Sequence, residues 1–125
     1  MARILIVDDD PGIRRVLGKF FERNGHAVIE AESGERALEL VTAAAPDAIV
    51  SDIMMPGMSG LEFYHRLSVV NAPLLPRLVF LTGSSYLPAI HDTIERLGVP
   101  LLGKLNDLQL VVDAVQVALL KPVRT

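Results

Sequence analysis

An α/β domain built on a parallel sheet with helices on both faces is the fold this sequence predicts, and three observations carry the prediction. Five short apolar runs alternate with five segments of helical periodicity along the 125 residues, the pattern of repeated strand-helix-strand units with right-handed crossovers. Start and stop residues punctuate the helical segments at the expected places. Finally, four of the apolar runs end in polar chemistry: Ile4-Leu5-Ile6-Val7 in Asp8-Asp9-Asp10, Ala48-Ile49-Val50 with Ser51 in Asp52, Leu78-Val79-Phe80-Leu81 in Thr82, and Leu101-Leu102-Gly103 in Lys104. Buried parallel strands read as continuous apolar runs, and open α/β sheets keep their chemistry just beyond the carboxyl ends of the strands.

The elements follow in order. After the first strand, Pro11 stands at a helix N1 position, and Ile13, Val16, Leu17 and Phe20 recur at helical spacing up to the stop at Asn24-Gly25. Residues 27–31 read as a short strand. Ser33 caps a second helix through Ala37, Leu38 and Val41, which Pro46 terminates. The third strand ends at Asp52. Ser59 and Glu62 form a capping box for a helix carrying Leu61, Tyr64 and Leu67, broken by Asn71, Pro73 and Pro76 before the fourth strand. A fourth helix with Ile90, Ile94 and Leu97 stops at Gly98, residues 99–102 supply the fifth strand, and Asn106 with Gln109 offers a cap for a last helix running to about Leu119.

Composition bounds the function. The chain is long enough to bury roughly two-thirds of its unfolded surface in one domain, here placed at residues 1–120 with a tail at 121–125. It has no cysteine, hence neither a disulfide framework nor a thiolate metal site. No apolar stretch approaches the ~20 residues of a membrane span, and Met1-Ala2-Arg3 leads directly into a strand, so the expectation is a cytoplasmic protein with no membrane association. A net charge of −3 with scattered Lys and Arg gives no basic stripe for direct nucleic-acid binding.

Three carboxylates gathered at one rim repel one another unless a cation sits among them. Mg²⁺ suits such a site because it prefers oxygen ligands and keeps places for water or phosphate. A lysine ammonium and a threonine hydroxyl can hold phosphoryl oxygens, and aspartate is a known phosphoryl acceptor. The rim is therefore suited to forming an acyl phosphate on one Asp. For Asp10, ahead of Pro11, a helix N-terminal role is the simpler reading.

In these same residues the chain resembles the receiver domain of two-component response regulators over essentially its whole length. The resemblance rests on an ordered set: the acidic pair Asp8-Asp9, the segment Asp52-Ile53-Met54-Met55-Pro56-Gly57-Met58-Ser59-Gly60, Thr82, and Lys104. It implies a flavodoxin-like (βα)5 three-layer sandwich with strand order 2-1-3-4-5. It further implies Mg²⁺ held by Asp8, Asp9, Asp52 and the backbone carbonyl of Met54, phosphorylation at Asp52, and phosphoryl contacts from Thr82 and Lys104. The donor is expected to be a histidine kinase or a histidine phosphotransfer protein, and the chain a signalling switch that assists its own phosphorylation and dephosphorylation rather than a metabolic enzyme. Three positions depart from the family: Leu105 stands where a cis-proline usually follows the lysine, Leu101 replaces a common aromatic switch residue, and Gly83 covers the phosphoryl site less than a larger residue would.

Two other functions compete. A pseudo-receiver would keep the fold as a phosphorylation-independent binding module, with Leu105 and Leu101 as its hints. A haloacid-dehalogenase-type phosphatase wants Asp-x-Asp followed by Thr, and Asp8-Asp9-Asp10-Pro11-Gly12 lacks the Thr. A dinucleotide-binding fold is disfavoured because no Gly-rich loop follows the first strand. His26, His65 and His91 read as surface residues away from the rim, and Met54, Met55 and Met58 as loop anchors filling core gaps. In the last helix, Leu108, Val111, Val112, Val115 and Leu119 form the core stripe, while Leu110 and Val117, with Ala114 beside them, mark a face for a second copy or an output partner.

Overall fold

The computed structural model describes residues 2–83, 88–103 and 108–121. Its elements run β1 (Arg3–Val7), α1 (Pro11–Arg23), β2 (Ala27–Ala31), α2 (Gly34–Ala44), β3 (Ala48–Asp52), α3 (Gly60–Val70), a 3₁₀ turn (Ala72–Arg77), β4 (Leu78–Thr82), α4 (Pro88–Leu97), β5 (Leu101–Gly103) and α5 (Leu108–Leu119). All strand pairs are parallel and the order is β2-β1-β3-β4-β5, the flavodoxin-like (βα)5 arrangement.

Period-two alternation divides the apolar strand residues between two cores. Leu5, Val7, Ile49, Leu78 and Phe80 face the layer that holds Ala37 and Val41 of α2, Phe63 and Leu67 of α3 and Ile94 of α4. Their neighbours Ile4, Ile6, Val50, Val79 and Leu81 face Leu17 and Phe21 of α1 and Val111, Val112 and Val115 of α5. Both faces being covered explains why β1, β3 and β4 are near-continuous apolar runs.

Helix boundaries follow local chemistry. The Asp10 side chain accepts hydrogen bonds from the Gly12 and Ile13 amides at 2.8 and 3.3 Å and caps α1, so the simpler role expected for Asp10 is the one observed. Ser33 and Ser59 cap α2 and α3 through the Arg36 and Glu62 amides at 3.1 and 3.2 Å. Gly25 and Gly98 take φ of 86° and 74° after α1 and α4, where a side chain would be strained.

Several local expectations are corrected. β5 begins at Leu101 rather than Val99, because Pro100 has no N–H to give the ladder; its carbonyl instead accepts the Phe80 amide at 2.8 Å. The segment Ala72–Arg77, expected only as a break, winds into a 3₁₀ turn with Pro73 in its first positions. Gln109 hydrogen-bonds Asp113 at 2.8 Å within α5, and its expected capping partner Asn106 lies outside the described residues. His26 is partly buried, not a free surface residue: its ring stands edge-on to Phe21 with centroids 6.1 Å apart. Ala114 packs partly buried against the second core, and Ala118 joins the buried stripe of α5. Leu110 and Val117 are exposed, at 52% and 60%.

Candidate functional site

Two successive strands in space, β1 and β3, diverge in sequence order at the centre of the sheet, with β2 on one side and β4 on the other. The crevice beyond the carboxyl ends of such a pair is where open α/β sheets bind ligands. Val7 lies opposite Ser51 in this ladder, so Asp8 and Asp52 emerge side by side at the crevice.

Burial sharpens the picture. Asp8 and Asp52 are 1% and 2% exposed, Thr82 is buried, and Asp9 is exposed at the mouth. One carboxylate oxygen from each of Asp8, Asp9 and Asp52 lies within 4.8 Å of the others. Carboxylate oxygens so gathered can be drawn onto one shared cation. The all-oxygen donor set, two of whose members are desolvated, fits a hard divalent ion and not a soft one.

The backbone orients these groups. Asp52 Oδ1 accepts the Met54 amide at 3.1 Å, and the Ile53 amide donates to the Leu81 carbonyl at 3.0 Å, which ties the loop after β3 to the end of β4. Asp8 Oδ1 accepts the Asp10 amide at 2.9 Å. Met55 and Met58 are buried under the loop as expected, whereas Met54 is 53% exposed and anchors nothing in the core; its backbone, not its thioether, faces the acid. The Thr82 hydroxyl donates to the Gly83 carbonyl at 3.3 Å. Thr82 pairs with Gly103 in the ladder, and Lys104, the next residue, lies outside the described residues, as does Leu105.

One group close to the acids was not singled out from the sequence. Arg14, one turn into α1, donates through Nε to Glu30 Oε1 at 3.1 Å and through Nη1 to the backbone carbonyl of Asp8. A basic residue following an acidic strand end by one helical turn was the available signal, but α1 carries Arg14 and Arg15 in succession and only packing decides which turns inward. On α4, His91, Asp92 and Glu95 also bring ligand atoms within 4.8 Å of one another, and His91, its side chain 44% exposed and 3.9 Å from Glu95, is the surface residue expected.

The family model for the response regulator receiver domain matches residues 4–116. The chain belongs to that family. It is 33% identical over 114 residues to sporulation initiation phosphotransferase F of Bacillus subtilis, covering 91% of this receiver and 90% of that protein. It is 45% identical over 66 residues to the response regulator MprA of Mycolicibacterium vanbaalenii, covering 53% of this receiver and 29% of that longer relative. Among solved structures, FixJ-N superposes with a TM-score of 0.82 at 25% identity, covering 100% of this receiver and 98% of that chain. The response regulator TrrA of Thermotoga maritima, solved with Mg²⁺ and BeF, superposes with a TM-score of 0.78 at 27% identity, covering 94% and 99%. The receiver thus belongs to a family of signalling switches, and neither the haloacid-dehalogenase nor the pseudo-receiver alternative is favoured. No described helix is long and apolar enough to cross a membrane.

Proposed function

We propose that this receiver accepts a phosphoryl group on Asp52 in a Mg²⁺-dependent reaction, with a histidine kinase or a histidine phosphotransfer protein as donor. The observation that carries the proposal is the convergence of Asp8, Asp9 and Asp52, two of them buried, at the switch point of the sheet. In this reading an Asp52 carboxylate oxygen attacks phosphorus as the bond to the donor's leaving group breaks and takes its electron pair with it. An acyl phosphate remains on Asp52. Asp8, Asp9, Asp52 and the Met54 carbonyl hold Mg²⁺, which when bound neutralises charge on the transferring oxygens. Thr82 and Lys104 hold phosphoryl oxygens, the first by a hydroxyl hydrogen bond and the second as a point charge.

The same proposal takes residues 1–120 as the receiver and 121–125 as a tail, places the protein in the cytoplasm, and gives it a part in catalysing its own phosphorylation and dephosphorylation. Charge arriving at Asp52 draws Thr82 and Lys104 inward and shifts the population of the α4-β5-α5 surface, on which Leu110 and Val117 stand exposed. Incubation with acetyl phosphate and Mg²⁺, followed by intact mass, tests the core of it. One phosphoryl adduct is expected, lost on chelation and in Asp52→Asn. An undiminished adduct in that variant refutes Asp52 as acceptor.

A further inference from the structure

Asp8 and Asp9 offer carboxylates to one ion from adjacent residues, so the peptide plane between them sets how the two side chains diverge. That plane is held by specific groups. Its carbonyl, that of Asp8, accepts from Arg14 Nη1, and the Arg14 Nε is held in turn by Glu30 Oε1 at 3.1 Å. The Asp8 amide on the preceding peptide is fixed to the Ala31 carbonyl at 3.1 Å, one residue along β2 from Glu30. On the far side, the Asp10 carbonyl accepts the Arg14 amide at 3.1 Å as the first turn of α1 closes. Only 16% of the Arg14 side chain is exposed. The guanidinium lies inside the corner between β1, β2 and α1, where its rigid fork serves two acceptors in fixed directions, which the compact, freely rotating ammonium of a lysine does not.

We propose that Arg14 is a positioning residue of the metal site: held by Glu30, it fixes the Asp8–Asp9 peptide so that both carboxylates reach the same ion. The inference rests on the Mg²⁺-dependent reaction proposed above. It also has a distinctive sign. A positive charge beside an acidic cluster repels a second cation, so charge alone makes removal of Arg14 strengthen Mg²⁺ binding and makes a lysine replacement neutral. Positioning makes both replacements weaken it.

Calorimetric titration of the unphosphorylated chain with Mg²⁺, together with initial rates of adduct formation from acetyl phosphate across a Mg²⁺ series, separates the two. In Arg14→Lys and Arg14→Gln the Mg²⁺ dissociation constant is expected to rise by about tenfold or more, the range typical when groups that orient metal ligands are removed. The rate at saturating Mg²⁺ should stay near that of the unaltered chain. Glu30→Asp keeps the charge but draws the carboxylate back from Arg14 by one methylene and should raise the constant by less, which keeps the test open if the Arg14 variants fold poorly. Unchanged Mg²⁺ constants in the three variants, with or without a lower melting temperature, overturn the inference, and tighter binding in Arg14→Gln does so too. Failure of the unaltered chain to bind Mg²⁺ overturns the reaction itself and the inference with it, and shows before any substitution is made.

Discussion

Gly60 and Ile53 are pressed together at the start of α3: the Gly60 amide donates to the Ile53 carbonyl at 2.9 Å, and a Cβ on Gly60 would fall 2.7 Å from the Ile53 Cα. The same Cβ would stand 2.8 Å from the Asp52 carbonyl oxygen. The close approach lets α3 brace the loop that follows Asp52, the proposed acceptor, and it needs a residue without a side chain.

Gly60→Ala is therefore expected to destabilise the fold, although alanine is the better helix former by about 1 kcal/mol. The atoms it meets are backbone and cannot swing aside, so overpacking of about 1–3 kcal/mol or more outweighs the propensity gain. Urea denaturation should show the loss, with reduced Mg²⁺ affinity as the Asp52 loop shifts. Gly83→Ala is the control, since its Cβ meets nothing within 4 Å among the described residues.

Asp10 is the α1 cap, with its carboxylate on two amides. Asp10→Ala should cost about 1 kcal/mol, whereas Asp10→Asn, which keeps an accepting oxygen, should cost little. Chemical denaturation of the pair checks this, and equal losses would contradict a capping role.

Mg²⁺ should stabilise the receiver by filling the space among Asp8, Asp9 and Asp52. An ion that binds only the folded state contributes about 2.7 kcal/mol at a hundredfold excess over its dissociation constant. Thermal melts should rise with Mg²⁺, fall back with chelator, and show no such dependence when Asp9→Asn and Asp52→Asn are combined.

On α5, Leu110→Glu with Val117→Glu changes two exposed positions and should alter stability by no more than about 0.5 kcal/mol each. If the phosphorylated receiver pairs through this face, a buried unpartnered charge appears twice at a symmetric interface. Light scattering should then lose any phosphorylation-dependent increase in mass while Asp52 phosphorylation persists. Dimers that survive the double substitution would place the interface elsewhere.

By itself the sequence determined the alternation of elements, the helix starts and stops, and the kind of chemistry at the strand ends. These are local matters: Ser33, Ser59 and Asp10 cap their helices through amides two or three residues away, whereas how deeply an apolar run is buried depends on its place in the sheet, complete in β3 and β4 and partial in the edge strands β2 and β5. Strand order was reachable only through family resemblance, because pairing β1 with both β2 and β3 depends on contacts between residues far apart in the chain.

Tertiary structure alone decided the rest. Side-by-side emergence of Asp8 and Asp52 follows from the register that sets Val7 opposite Ser51. The inward turn of Arg14 depends on Glu30 arriving from β2, and the part-burial of His26 on the edge-on ring of Phe21. Exposure of Met54 beside the buried Met55 and Met58 is likewise set by how the loop after β3 packs, with Met58 against Gly34 at the start of α2. In each case the deciding energy is a contact across the fold, and residue spacing along the chain carries no record of it.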